Sequence, residues 1–133
     1  IEIMIVVVML SLLMLVAVPG YLEQVRATHR SMARAELQKV ALRQERFYIE
    51  QRYYALELGE LGFPGERYVL ARDGNVLPWP DGGGLYLVSM NSSGAAYRVS
   101  ASPLRADPRC GELSLDWRGV RAAGGPGGHD ACW

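Results

Sequence analysis

Ile1-Glu2-Ile3-Met4-Ile5-Val6-Val7-Val8-Met9-Leu10-Ser11-Leu12-Leu13-Met14-Leu15-Val16-Ala17-Val18-Pro19-Gly20-Tyr21-Leu22 opens the chain and decides its architecture. From Ile3 to Val18 every residue is apolar except Ser11, and the one charge is Glu2. A helix made from this run is apolar all round, so it needs lipid or protein on every side. With Ile1, Tyr21 and Leu22 it approaches the roughly 20 residues that cross a bilayer. The residues after Leu22 suffice for one small domain, which cannot wrap a free-standing rod of this length. Lipid and other copies of the chain are the remaining environments.

Glu2 is the anomaly in that run. An unpaired buried carboxylate costs several kcal/mol or takes up a proton. The positive end of a helix returns only about 0.3–1 kcal/mol at an exposed site. No Lys or Arg occurs before Arg26. The available cation is an α-amino group, this chain's or a neighbour's. A secretory signal peptide would carry positive charge where Glu2 stands, and its helical pattern would not continue past Pro19. A plain membrane anchor leaves Glu2 unexplained. Pro19 lacks an N–H and clashes with the carbonyl four residues back, at about 3 kcal/mol. Gly20 adds about 1 kcal/mol. The pair either ends a membrane helix or marks an interruption, a kink or melted stretch.

Ile1-Glu2-Ile3-Met4-Ile5-Val6-Val7-Val8, followed by Pro19-Gly20-Tyr21, resembles the N-terminus of type IV pilins. In that family a basic leader is removed after a Gly and the new N-terminal residue is N-methylated. The resemblance implies that a few residues precede Ile1 and that Glu2 pairs with the α-amino group of an adjacent subunit in a filament core. It maps the family's helix-interrupting Pro onto Pro19. Many pilins carry a Gly where this chain has Ser11, which bears on how far any unwinding before Pro19 extends.

The full chain has 133 residues with 14 basic and 14 acidic side chains. A balanced charge gives no general electrostatic hold on nucleic acid, which requires a basic surface. Arg26, Arg30 and Arg34 follow the apolar run and by the positive-inside rule alone would retain the rest of the chain in the cytoplasm. A disulfide between Cys110 and Cys132 would place it outside. We give the cysteines precedence, because a pilin leader carries positive charge of its own.

Tyr21 to about Arg52 contains no Gly or Pro after Gly20 and reads as a continuation of the helix. Ala33, Leu37, Val40, Ala41 and Tyr48 give one apolar stripe. Arg26, Arg30 and Arg34 recur on another face, and Glu36 and Lys39 fill out the polar side. Ala41-Leu42-Arg43-Gln44-Glu45-Arg46-Phe47-Tyr48, then Tyr53-Tyr54, resembles a subgroup of type IVa pilins. The aromatic residues there are candidates for a base-stacking platform or an electron path. Packing of the helix end on a sheet is the simpler reading.

Residues 53–84 hold the turn formers of a long connection, among them Pro64-Gly65, Asp73-Gly74-Asn75, Pro78, Pro80 and Asp81-Gly82-Gly83-Gly84, with Tyr68-Val69-Leu70 as a short strand. The glycine run lacks the Lys-Ser/Thr and following helix of a phosphate loop. Leu85–Met90 and Ala96–Ala101 flank Asn91-Ser92-Ser93-Gly94 as a hairpin. Leu113, Leu115 and Trp117 alternate with Glu112, Ser114 and Asp116, and Arg118-Gly119 turns into Val120-Arg121-Ala122. These runs predict about four antiparallel strands with one face on the helix, an α+β arrangement.

Cys110 and Cys132 enclose a Gly-rich tail that would fray without a cross-link. With His129 and Asp130 they are alternatively metal ligands, but at a spacing that matches no common zinc pattern. Cys110-Gly111-Glu112-Leu113-Ser114-Leu115-Asp116-Trp117-Arg118-Gly119, with Cys132-Trp133, resembles the C-terminal disulfide region of type IVa pilins, and the resemblance implies a Cys110–Cys132 bond. No Ser or Cys nucleophile stands beside His29 or His129 with an orienting acid, so no enzyme is predicted. No metal or other cofactor is predicted either.

The sequence therefore predicts a long N-terminal helix packed on a roughly four-stranded antiparallel sheet, the ladle-shaped pilin fold. Residues 1–22 are the apolar helix, a membrane anchor before assembly and filament core after it. Residues 23–133 are the helix's second half and the head, with a connecting loop over 53–84 and a disulfide loop over 110–132. The resemblance implies a structural subunit of an extracellular type IV pilus for adhesion, twitching motility or DNA uptake. Its partners are identical subunits in a helical filament, the inner membrane before assembly, with a periplasmic head, and the pilus assembly machinery. The alternatives are a low-abundance minor pilin acting as an adhesin or DNA-binding module, and a type II secretion pseudopilin. Arg98, Arg105, Arg109, Arg118 and Arg121 are the candidate basic surface for DNA, with solvated surface charge as the simpler reading.

Overall fold

The computed structural model describes residues 1–80 and 82–133, so Asp81 of the expected glycine-rich turn lies outside the described residues. Helix α1, Glu2–Gln51, is 50 residues long, about 75 Å at 1.5 Å per residue. It stops at Arg52, which turns to φ 67° and donates its N–H to the Tyr48 carbonyl at 2.8 Å. Pro19 and Gly20 lie inside this helix and do not interrupt it here. Pro19 leaves the Leu15 carbonyl without its usual donor. Helix on both sides carries the turn across the defect, because propagation is favourable once nucleation has occurred. Ser11 donates its hydroxyl to the Val7 carbonyl at 2.8 Å, so its polarity is satisfied within the helix.

The expected antiparallel sheet is present, and among the described residues it has six strands where the sequence predicts roughly four. They are β1 (Arg67–Leu70), β2 (Val76–Pro78), β3 (Tyr86–Ser92), β4 (Tyr97–Pro103), β5 (Leu113–Asp116) and β6 (Arg121–Ala123), in the order β2-β1-β3-β4-β5-β6. A 3-10 turn over Leu58–Leu61 and a short helix α2, Gly128–Cys132, complete the fold. β1 is the short strand expected at Tyr68-Val69-Leu70, and the unexpected addition from the 53–84 connection is its partner β2, with Val69 opposite Leu77. Close packing supports strands in this turn-rich stretch. The Gly84 backbone lies so near Val69 that any Cβ there would overlap the valine side chain. Val69 is thereby buried although it sits outside the main core cluster.

The β3–β4 hairpin is longer than the sequence implies. Its loop is Ser93-Gly94-Ala95-Ala96, closed by the Ser93 N–H on the Ala96 carbonyl at 3.0 Å. Val88, Ala101 and Leu113 follow one another across the ladder and are fully buried. Ala33, Leu37 and Val40 of α1 join the same core. The two shortest strands, β2 and β6, form the edges of the sheet.

Three sequence assignments change. Arg30 and Glu36, read as surface charge, are buried, as is Gln44. Tyr48, read as core, is 39% exposed because the helix runs past the sheet there. Trp117, read as the inward residue after Leu115, is 45% exposed, whereas Asp116 is buried. The β5 alternation ends at Asp116 because its carboxylate folds the following turn.

Candidate functional site

Three regions carry chemistry: the bare half of α1, the waist where α1 enters the head, and a cleft beside the β5–β6 turn. Every residue from Ile1 to Leu22 is exposed. The apolar window in this stretch has a mean hydropathy of 2.8 and none of it is buried. The helix is long and apolar enough to cross a membrane. No basic group among the described residues forms an ion pair with Glu2. The head covers α1 only from about Arg30 onward, where Ala33, Leu37 and Val40 turn to the sheet.

At the waist, Arg30 donates from Nε and Nη2 to the two oxygens of Asp107 at 2.7 and 2.8 Å. Its Nη1 donates to Glu23 at 2.9 Å, and Arg109 approaches the same Glu23 oxygen at 3.5 Å. A planar guanidinium matches this forked geometry, which an ammonium could not supply. The hydrogen bonds to Arg30 hold the Asp107 carboxyl below the usual carboxylate range, against the upward push of burial. Asp107 also accepts the Cys110 N–H at 3.3 Å, which ties the start of the disulfide loop to the helix. Cys110 and Cys132 are bonded, with Cα atoms 5.6 Å apart. Joined in this way, they offer no thiolates to the metal site considered above. Gly125 donates to the Cys110 carbonyl at 2.8 Å, and a Cβ at Gly125 would meet the Arg109 carbonyl oxygen at 2.5 Å. The Gly-rich tail thus lies directly on the backbone before β5.

Buried polar groups higher in the head are also partnered. Gln44 bonds both backbone groups of Ala55, donating to its carbonyl at 3.0 Å and accepting its N–H at 2.9 Å. Tyr68 donates its hydroxyl to Glu36 at 2.8 Å. The phenol is pushed far above its usual pKa by burial and by the Glu36 charge, so it remains a donor at every physiological pH.

The cleft, about 410 Å³, is lined by Asn91, Ser93, Arg98, Asp116, Trp117 and Arg118 among others. Asp116 builds its wall. One carboxylate oxygen accepts the N–H groups of Arg118 and Val120, both at 2.9 Å. This Asx-type turn aims Trp117 and Arg118 outward. Burial pushes the Asp116 carboxyl up, but the Val120 and Arg118 N–H groups and the Arg118 charge outweigh it and hold it below its usual value. The Arg118 guanidinium lies 5.9 Å from the Trp117 ring centre. Arg98 projects beside them from β4, its register partner being Asp116. An exposed indole beside the Arg118 guanidinium, with Arg98 lining the same cleft, offers a stacking face and two phosphate or base donors, although Arg118 also lies 3.5 Å from the Asp116 carboxylate.

The five candidate basic residues do not form one stripe. Arg98 and Arg118 share the cleft, whereas Arg105 lines a separate cavity at the waist with Arg26 and His29. Arg109 is beside Glu23. Arg121 lies over the Trp133 ring at 5.5 Å, and Trp133 donates its indole N–H to the Ala122 carbonyl.

A family model described as "Type IV minor pilin ComP, DNA uptake sequence receptor" matches residues 19–114, well over half of the chain. This protein is a member of that family, and so a type IV pilin. The match begins at Pro19 and runs through the second half of α1, β1 to β4 and the start of β5. The family assignment therefore does not rest on the apolar run. It agrees with two further marks, the bare helix, most of which precedes the match, and the C-terminal disulfide, whose Cys132 lies beyond it. Comparison with curated proteins gives no match. The pilin resemblance and the α+β architecture inferred from the sequence both hold. An apolar N-terminal helix fits a pilin's place in a membrane or a pilus.

Asp107, Glu36, Gln44 and Asp116 are missed by the sequence reading. Two had a usable signal. Gln44 continues the 33–37–40 stripe, so its polarity demands a buried partner. Asp116, two residues before Arg118-Gly119, has the spacing of an Asx turn.

Proposed function

We propose that this pilin is a minor subunit that enters a type IV pilus through residues 1–22 and carries a DNA-receiving surface on its head. The observation that carries the first part is the complete exposure of Ile1 to Leu22. Before assembly this segment rests in the inner membrane, with the head, residues 23–133, in the periplasm. On assembly it moves among the corresponding segments of other subunits in an extracellular filament. Burial from lipid gives little apolar gain, so helix packing and the Glu2 charge set the register. Glu2 then pairs with the N-terminal amine of a neighbour. Pro19 and Gly20 supply a weak point where α1 opens under the constraints of the filament.

Membership of a family of minor pilins that receive DNA uptake sequences supports a DNA-receiving role over that of a chain that polymerises alone as the main structural subunit. The cleft of Arg98, Trp117 and Arg118 is the proposed contact. Two guanidiniums and a stacking face suit nucleic acid even though the net charge of the chain is zero.

The deciding experiment follows the chain in filaments sheared from cells that make wild type or Glu2→Gln. Wild type is expected at a small fraction of the main subunit and the variant is expected to be lost from filaments while still folded in the membrane. Equal incorporation would remove the pairing role of Glu2. In parallel, the full chain in detergent is titrated with duplex DNA at rising salt. Salt-sensitive binding is expected, and its absence returns the chain to a purely structural role.

A further inference from the structure

The cavity at the waist differs from the DNA cleft in both composition and position. It holds about 220 Å³ and is lined by Leu22, Val25, Arg26, His29, Pro103 and Arg105, among others. Its wall is apolar on the side of Leu22 and Val25 and cationic on the side of Arg26 and Arg105. The acids nearest to it are already engaged. Asp107 is taken by Arg30 in two hydrogen bonds, and Glu23 by Arg30 at 2.9 Å, with Arg109 and Arg26 farther off at 3.5 and 3.8 Å. No carboxylate among the described residues pairs with Arg105 or with Arg72. His29 registers this imbalance: burial, then the charges of Arg72 and Arg105, push its pKa below the usual value. The imidazole is therefore neutral at pH 7 and the excess positive charge belongs to the arginines.

The height of the cavity matters as much as its charge. Arg26 follows Leu22 by one turn of α1, about 6 Å at 1.5 Å per residue. The headgroup zone outside the hydrocarbon core is of that thickness, about 5–8 Å on each side. If the bare helix spans the bilayer, Leu22 and Val25 sit at the acyl boundary and Arg26 and Arg105 sit among the headgroups.

We infer that this cavity is a binding site for the headgroup of an anionic phospholipid, held by Arg26 and Arg105 with its glycerol end against Leu22 and Val25. The inference rests on the membrane-anchored state proposed above. It gives the membrane form of the pilin a specific lipid contact, one that is surrendered when the chain leaves the bilayer. The occupant fits on three counts: charge opposite to Arg105, which has no carboxylate partner among the described residues, and to Arg26, whose carboxylate partner stands off at 3.8 Å; an apolar foot where the wall is apolar; and continuity with the spanning helix.

The test uses the full chain in detergent micelles doped with equal amounts of phosphatidylglycerol and phosphatidylcholine, with lipid retention read by native mass spectrometry. Wild type is expected to retain phosphatidylglycerol preferentially. Replacing Arg26→Gln and Arg105→Gln is expected to lower that retention about fivefold for each arginine. Arg105→Lys, which keeps the charge, and Arg46→Gln, which removes an exposed charge far along α1, are expected to retain it. Equal retention of the two lipids by wild type, or unchanged retention in the double variant, overturns the inference. Displacement of the lipid by millimolar inorganic phosphate would also overturn it, by assigning the site to a free anion. Flotation with pure phosphatidylcholine vesicles separates the two ideas. A chain that fails to float contradicts the membrane anchor itself. A chain that floats but shows no phosphatidylglycerol preference contradicts only the lipid site.

Discussion

Arg30 and Asp107, 77 residues apart in sequence, meet through two hydrogen bonds of 2.7 and 2.8 Å. The pair joins the helix to the segment that leads into Cys110, and both side chains are almost fully buried, at 5% and 6% exposure. Removing one partner of a buried pair costs about 3–5 kcal/mol where the other charge is left alone; Arg30 keeps its hydrogen bond to the part-exposed Glu23, so the loss falls at the lower end of that range. Asp107→Ala is expected to lose that much in denaturant unfolding of the full chain in detergent. Replacing both, Arg30→Met with Asp107→Leu, is expected to recover most of it, because no charge is then stranded. A double variant as unstable as the single one would contradict this account.

The same pair sets the acid response. The Asp107 carboxyl is held below its usual value in the fold, first by its hydrogen bonds to Arg30. Between the folded value and the unfolded value of about 3.9 the unfolded chain binds more protons. Its stabilisation is therefore complete above about pH 4 and is lost as pH falls through the folded value. His29 acts in the same direction at higher pH. Its lowered pKa, caused first by burial, penalises the fold as pH drops below about 6.5. The denaturation midpoint is expected to fall in two steps on acidification. Asp107→Asn should shrink the lower step, to which the lowered carboxyls of Asp116 and Glu23 also contribute, and His29→Gln should remove the upper. A single step unaffected by either substitution would refute the assignment.

Reduction of Cys110–Cys132 opens a loop with a sequence separation of 22. The chain-entropy account gives a loss of about 3 kcal/mol, or about 10 °C in the melting temperature of a domain of this size. Cys110→Ser is expected to show the same shift without reductant and none on adding it. A melting temperature indifferent to reductant in wild type would exclude a stabilising role.

Arg98, Arg118 and Trp117 make distinguishable contributions if the cleft receives DNA. Each Arg→Gln change is expected to reduce the slope of log affinity against log salt by about one. Trp117→Ala is expected to weaken binding at every salt concentration, leaving the slope unchanged, because stacking releases no counterions. Identical salt slopes for wild type and the Arg98→Gln/Arg118→Gln pair would move the DNA surface elsewhere on the head.

Local pattern made part of this molecule readable. The apolar run, the gap-free helix to Arg52 and the β3–β4 alternation depend on neighbours within a few residues. The hidden part depends on distant partners. Arg30 recurs with Arg26 and Arg34 as if on a solvent face, and its burial is made tolerable chiefly by the distant Asp107, with Glu23 on its own helix taking the third hydrogen bond. Glu36 is buried because Tyr68 donates to it from 32 residues away. β1 is legible as Tyr68-Val69-Leu70, but its partner β2 is masked by Pro78 and the surrounding glycines, and the pair is consolidated by Gly84 closing over Val69. Trp117 was assigned inward because alternation was carried one residue past the turn that Asp116 folds. For the cleft, the sequence groups five arginines in the strand region of a chain with balanced charge, but only the fold divides Arg98 and Arg118 from Arg105, Arg109 and Arg121.

The sheet ends on both sides in strands of three residues, β2 and β6. β2 finishes at Pro78, which has no N–H to offer. Such stubs are poor templates for a further strand. If the chain joins a filament as proposed, its head would tolerate crowding without zipping to its neighbours through their backbones, and so would remain separable when the rods are pulled apart.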